Sequence, residues 1–124
     1  MAAKRPVFTQ NFSANLTHIR DFLGPDARRA FQRLLARLFD EIVPTLCEFP
    51  QSGRKFLTRP LWSAKAGTLA KKLRSSLRKG DDLREFIVDE HLVLYLIRGN
   101  RLVFLSIKHH RQLSFDLRRF WQEL

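Results

Sequence analysis

Five residues late in the chain carry side chains that could do chemistry on a phosphate: Arg84, and the run Lys108, His109, His110 and Arg111. Cleavage of RNA by attack of a 2′-hydroxyl needs no cofactor. It needs a base for the hydroxyl, an acid for the leaving 5′ oxygen and a cation for the crowded phosphoryl oxygens. Histidine titrates near neutrality while lysine and arginine stay charged, so these five could fill all three roles if they converge. Without convergence they are a grip for something anionic, or a solvated strand end. His109 and His110 are neighbours on an extended segment, so their rings point to opposite sides and cannot readily share one metal ion. The sequence has no CxxC or HxxxH spacing, no glycine-rich phosphate loop and no GxSxG elbow. We therefore expect neither metal nor cofactor.

The elements that must position these residues are legible as patterns. Leu83 to Val88, His91 to Ile97 and Arg101 to Ile107 are β-branched and aromatic runs joined by connections too tight for a crossover helix, which predicts an antiparallel meander. Arg84 then lies early in its first strand, and Lys108 to Arg111 at the exit of its last. Gly99-Asn100 suits the tight turn between the second and third strands. Leu92, Leu94 and Leu96 alternate with Val93, Tyr95 and Ile97; both sets are apolar, so this strand should be central and covered on both faces.

Upstream, Val7 to Gln10, bounded by Pro6, suits an edge strand. Ser13 is a plausible N-cap for a helix carrying Leu16, Ile19, Phe22 and Leu23, ending at Gly24-Pro25. Asp26 can cap a second helix, in which Phe31, Leu34, Leu35, Leu38, Phe39, Ile42, Val43 and Leu46 form one apolar face. Pro44 should kink or shorten it. The expected fold is α+β: an N-terminal helical hairpin packed on a small antiparallel sheet, with a basic helical insertion over about residues 58–80 before the meander.

The net charge of +11 is concentrated. Nine of the 23 basic residues (Arg54, Lys55, Arg59, Lys65, Lys71, Lys72, Arg74, Arg78, Lys79) lie between Phe49 and Gly80 with no acidic one among them, leaving 14 basic against 12 acidic residues elsewhere. Such a segment attracts polyanions, whether nucleic acid or an acidic protein, and salt weakens the attraction; a solvated surface that aids solubility is the plainer reading. Leu61, Trp62, Leu69, Leu73 and Leu77 suggest an amphipathic helix around Ala64 to Leu77, although Gly67 opposes it. Phe115, Leu117, Phe120 and Trp121 have enough apolar area to fold a C-terminal turn or helix against the body. The 124 residues suffice for one domain, 1–124. A single cysteine, Cys47, permits no internal disulfide and lies on an apolar helix side, as buried filler. No signal peptide or membrane span is indicated, so the expected location is cytoplasmic.

Taken in order, Leu-Cys-Glu-Phe-Pro-Gln-Ser-Gly-Arg (Leu46 to Arg54), Leu-Arg-Glu-Phe (Leu83 to Phe86), Leu94-Tyr95 and Leu-Ser-Ile-Lys-His-His-Arg-Gln-Leu (Leu105 to Leu113) resemble the RelE/ParE family of type II toxins. The resemblance covers nearly the whole chain, with 58–80 as an insertion. It implies a cognate antitoxin partner, with an acidic, partly disordered segment that wraps and neutralises a basic toxin. Two activities diverge within that fold. ParE-like members poison DNA gyrase and have no recognised catalytic residues. RelE-like members cut messenger RNA on the ribosome with basic residues and often a terminal tyrosine or histidine. Here the family arginine is kept at Arg84, but no tyrosine follows the last strand, and the resemblance favours the ParE side. Arg84, Lys108 and Arg111 are then target-binding residues; Arg54, Lys55, Arg59, Lys71, Lys72, Arg74 and Arg78 form the antitoxin-binding or basic patch. A plain nucleic-acid-binding module is a further alternative, but exposed aromatics for stacking and a recognition helix are not evident.

Overall fold

The computed structural model describes residues 3–56 and 75–109. Within them the fold mixes helices with a five-stranded sheet of order β1-β5-β4-β3-β2. The strands are β1 (Arg5–Phe8), β2 (Arg54–Lys55), β3 (Asp82–Val88), β4 (His91–Arg98) and β5 (Arg101–His109). The helices are α1 (Gln10–Leu23), α2 (Arg28–Ala36) and α3 (Val43–Glu48), the last two joined through a π-helical turn over Arg37–Ile42. None is long and apolar enough to cross a membrane.

The meander forms as its pattern demands. β3, β4 and β5 pair antiparallel, with two-residue turns at Asp89-Glu90 and Gly99-Asn100, where Asp89 (φ 54°) and Gly99 (φ 57°) take positive φ. β4 is central, and Val93, Leu94, Tyr95 and Leu96 are all fully buried. The sheet is not antiparallel throughout, however, because β1 runs parallel to β5, Arg5 opposite Arg101 and Phe8 opposite Phe104. Residue alternation tells which face a side chain takes and says nothing about the direction of a partner strand distant in sequence. The edge strand also starts and ends earlier than Val7 to Gln10. Lys4 N–H bonds Cys47 O (2.8 Å) and Arg5 N–H bonds Asn100 O (2.8 Å), which sets its entry, while Thr9 and Gln10 are needed by the helix.

Thr9, rather than Ser13, caps α1. Its hydroxyl accepts Phe12 N–H (3.1 Å) and donates towards Phe104 O (3.0 Å) on β5, a tertiary contact that local capping rules cannot foresee. Ser13 is already inside, its N–H on Thr9 O. Asp26 likewise caps nothing: it lies in a 3-10 turn (Pro25–Ala27) and α2 begins after Ala27 without a side-chain cap. Pro44, expected to kink or shorten the helix, does not end it: α3 runs through it to Glu48, and the irregularity lies in the turn before it. Lacking an N–H and crowding the carbonyl four residues back, it interrupts the α ladder, and the preceding turn widens so that Val43 N–H reaches Leu38 O. The wider turn brings both Ile42 and Val43 inward after Leu38.

Phe12 and Ile19 of α1, Leu34, Leu38, Ile42, Val43 and Leu46 of the second helix, and Val88, Val93, Tyr95, Phe104 and Ile107 of the sheet share one core cluster. Full burial of each large side chain contributes about 1.5–3 kcal/mol. Phe8 reinforces it against Phe104, Phe12 and Phe39, with ring centroids 5.1, 5.5 and 5.4 Å away. Phe22, placed on the core side by periodicity, is instead 85% exposed, and Phe39 is 40% exposed. Cys47 is buried, and burial pushes its thiol above the usual range, which fits filler.

β1 ends at Phe8, so β5 beyond Phe104 has no strand on that side. A bulge at Leu105 and the polar side of α1 solve this. Asn11 Nδ2 donates to Leu105 O (2.9 Å), and Asn15 Oδ1 accepts Ile107 N–H (3.1 Å) and Ser106 Oγ (2.9 Å), so a helix finishes the sheet edge.

Candidate functional site

Arg84 is where the pattern puts it, but it is occupied. Strands β3 and β4 turn Arg84 and Tyr95, an in-register pair, to the face that carries the core. The guanidinium bonds Asp82 Oδ2 (2.9 Å), Gly53 O (2.6 Å) and Gln51 O (3.2 Å), and its side chain is 12% exposed. Beside it the Tyr95 hydroxyl accepts Gly53 N–H (2.9 Å) and donates to Pro50 O (2.6 Å). Burial pushes the Tyr95 phenol above its ordinary range, so it stays a neutral donor and acceptor. On the other face Arg54 donates to the fully buried Glu85 (2.8 Å). Three side chains of β3 and β4 thus clamp the segment Pro50 to Arg54 onto the sheet. Gly53 is essential to the fit, since a Cβ there would stand 2.5 Å from the Tyr95 hydroxyl and 2.6 Å from Glu85 O.

Lys108 and His109 lie at the far end of β5. His109 pairs in register with His91, their rings edge to face at 5.4 Å, and its Nε2 is 3.1 Å from Glu90 Oε2. No group of three or more metal-ligating side chains forms among the described residues. Lys108 pairs with Leu92 and, by alternation, faces opposite to His109. Arg84 and His109 are separated by two strand spacings and four residues along the strands, roughly 16 Å at about 4.8 Å per strand and 3.3 Å per residue. The structure therefore does not bring Arg84, Lys108 and His109 together. His110 and Arg111 lie outside the described residues.

Of the nine basic residues of the segment, Arg54, Lys55, Arg78 and Lys79 are described; Arg59, Lys65, Lys71, Lys72 and Arg74, the helix expected around Ala64 to Leu77 up to residue 74, and the C-terminal turn or helix lie outside. Arg54 and Lys55 form β2 against Glu85 and Arg84. Arg78 contributes its backbone, its N–H bonding Asp81 Oδ2 (2.7 Å). Asp81 is the centre of a second internal site. Arg98 grips it with Nε on Oδ1 (3.0 Å) and a terminal nitrogen on Oδ2 (2.6 Å). That hydrogen-bonded pair holds the Asp81 carboxyl below the usual carboxylate range and Arg98 above its own. Neither Tyr95 nor Asp81 was singled out by spacing. The available signal was chemical: a lone tyrosine in a strand buried on both faces must find partners for its hydroxyl.

Between α1 and α2 an open groove of about 660 Å³ is lined by Arg20, Arg28, Phe31 and Leu35 among others.

A family model, described as ParE toxin of type II toxin-antitoxin system, parDE, matches residues 7–114. No curated protein matches the chain.

Proposed function

The chain belongs to the ParE toxin family of type II toxin-antitoxin systems, and from that premise we propose that it halts growth by binding and poisoning DNA gyrase, with a cognate antitoxin as its neutralising partner. The observation that carries this reading is the dispersal of the cations. A phosphoryl-transfer site needs its acid, base and cation within hydrogen-bond reach of one phosphate. Arg84 is instead bonded to two backbone carbonyls and Asp82, and Lys108 and His109 face opposite sides of the sheet. A toxin that acts by binding needs no such convergence.

One observation favours the alternative, a ribosome-dependent messenger endoribonuclease. His109 stands against both His91 and Glu90, a grouping that could hand on a proton. The deciding assay pairs gyrase-dependent DNA cleavage with messenger cleavage on programmed ribosomes, using the full chain. The proposed reading expects trapped gyrase-cleaved DNA and intact messenger. It also expects a His109→Gln, His110→Gln double variant to stay toxic, with toxicity weakened when Lys108 and Arg111 are made neutral. Messenger cleavage by the parent, lost by about a hundredfold or more in that double variant, would transfer the function to the nuclease.

The antitoxin reading is supported by the charge of the 54–79 segment and by the α1–α2 groove, whose arginines flank apolar surface. An acidic partner segment should associate faster at low ionic strength.

A further inference from the structure

The sheet carries a row of three arginines that no motif announces. Arg5 of β1 pairs with Arg101 of β5, and Arg101 pairs with Arg98 of β4, so all three side chains leave the same face, opposite the helices. Arg98 is held by Asp81. Arg5 and Arg101 are exposed and form no side-chain hydrogen bond or ion pair among the described residues. Like charges directly opposed on a sheet are destabilising by some tenths of a kcal/mol, so the pair is a cost in the isolated chain. The next row along the same face is aliphatic: Val7, 39% exposed, beside the half-buried Val103.

We propose that Arg5 and Arg101, with Val7 and Val103 beside them, dock an acidic amphipathic helix of the protein partner, two of its carboxylates taking the two guanidinium groups. The inference rests on the toxin-antitoxin reading for the identity of that partner. Three features select this occupant. Carboxylates one helical turn apart have Cβ atoms about 5–6 Å apart, close to the roughly 4.8 Å between adjacent strands. Arginine's planar fork matches a carboxylate with two parallel bonds. The neighbouring surface is aliphatic, which suits a helix's apolar stripe, whereas single-stranded nucleic acid would need an aromatic platform.

The outer edge of β1 also argues against strand addition. Arg5 N–H bonds Asn100 O, just before β5, and Thr9 N–H bonds Phe104 O of β5, and period two assigns Val7 to the same side. Outward there remain Lys4 N–H, already on Cys47 O, and Pro6, which has none. Only Phe8 could donate to an added strand, so a partner here must hold on through side chains.

The test uses the full chain and, as probe, a synthetic alanine-based helix with two glutamates four residues apart beside a leucine stripe. Its affinity is measured for the parent, for Arg5→Gln/Arg101→Gln, and for Arg29→Gln/Arg33→Gln, which removes equal charge from exposed positions of α2. We expect about a tenfold loss in the first variant, little in the second, and a similar tenfold loss when the peptide's glutamates become glutamines. Equal losses in both variants would reduce the site to general charge and overturn it. So would a short DNA duplex that loses affinity in the Arg5/Arg101 variant while the peptide does not. Growth arrest on expression of the parent reads the toxin assignment separately. Arrest without the peptide pattern sinks the row alone; the peptide pattern without arrest sinks the assignment alone.

Discussion

Arg84 and Arg101 belong to the same sheet and have opposite fates. Around Arg84 the polar side chains are taken up within the fold: with Tyr95 on its own face and Glu85 on the other, it fastens Pro50 to Arg54, and each of these bonds runs between parts of this chain. The Arg101 and Arg5 side chains make no hydrogen bond or ion pair among the described residues, and two exposed cations stand opposite each other. The first region converts arginine into stability and the second keeps it available. Cation density along a sequence therefore does not measure the charge offered to a partner. What matters is whether a carboxylate or a carbonyl already faces each guanidinium.

The comparison breaks most sharply at Gly53. Its backbone dihedrals are ordinary (φ −76°, ψ 157°), so the demand for glycine is spatial. Gly53→Ala must displace the Tyr95 hydroxyl or the β3 backbone at Glu85 O, since the new Cβ would lie 2.5–2.6 Å from each. We expect a loss of about 3 kcal/mol, from overpacking together with the loosened Tyr95 and Arg84 bonds, read by chemical denaturation. A loss below about 1 kcal/mol would mean the segment lifts off freely and the clamp is not a source of stability.

Asp81 offers the next effect. Asp81→Ala leaves Arg98, whose side chain is 19% exposed, without its carboxylate and should cost about 2–3 kcal/mol near neutral pH. The pH dependence has a defined sign. Arg98 holds the folded-state carboxyl below its ordinary value, so the pair's contribution is complete above about pH 4 and disappears as pH falls through the lowered value. Parent and variant stabilities should therefore differ by a constant amount from neutral pH down to that point and converge in stronger acid. A gap that closed already at neutral pH would assign the titration to another group.

Tyr95→Phe should cost less, about 1–2 kcal/mol, because it deletes the hydroxyl but keeps the ring against Phe104 at 6.2 Å. The substitution leaves Gly53 N–H and Pro50 O to find water. Proteolysis at Pro50 to Arg54 should accelerate in this variant and not in Arg5→Gln, which separates the two regions experimentally.

The sequence carries much of the architecture and little of this division. The meander, its Gly99-Asn100 turn and the central β4 follow from alternation and turn residues. These are local properties, read within a few residues. The cap of α1, the parallel direction of β1 and the bulge at Leu105 depend on contacts between segments more than 90 residues apart, such as Thr9 with Phe104. No local rule supplies them. The site residues divide the same way. Arg84 was identifiable by type and position, but its three internal bonds depend on where Pro50 to Gly53 returns. The paired Arg5 and Arg101 carry no signal until the strands are set side by side.

The smallest effect on stability is the one that tests the open end of the sheet. Replacing both Arg5 and Arg101 with glutamine removes two exposed side chains that bond nothing among the described residues, so no interaction is lost. What is lost is repulsion between like charges opposed across a ladder, a term of some tenths of a kcal/mol. The double variant should match or slightly exceed the parent, within about 0.5 kcal/mol. Salt supplies the sharper reading, because it screens the repulsion only where both charges exist. The parent should gain more stability than the variant as ionic strength rises, and the two curves should meet at high salt. A variant clearly less stable than the parent at every salt concentration would show that Arg5 or Arg101 is bound within the fold after all, and the contrast with Arg84 would collapse.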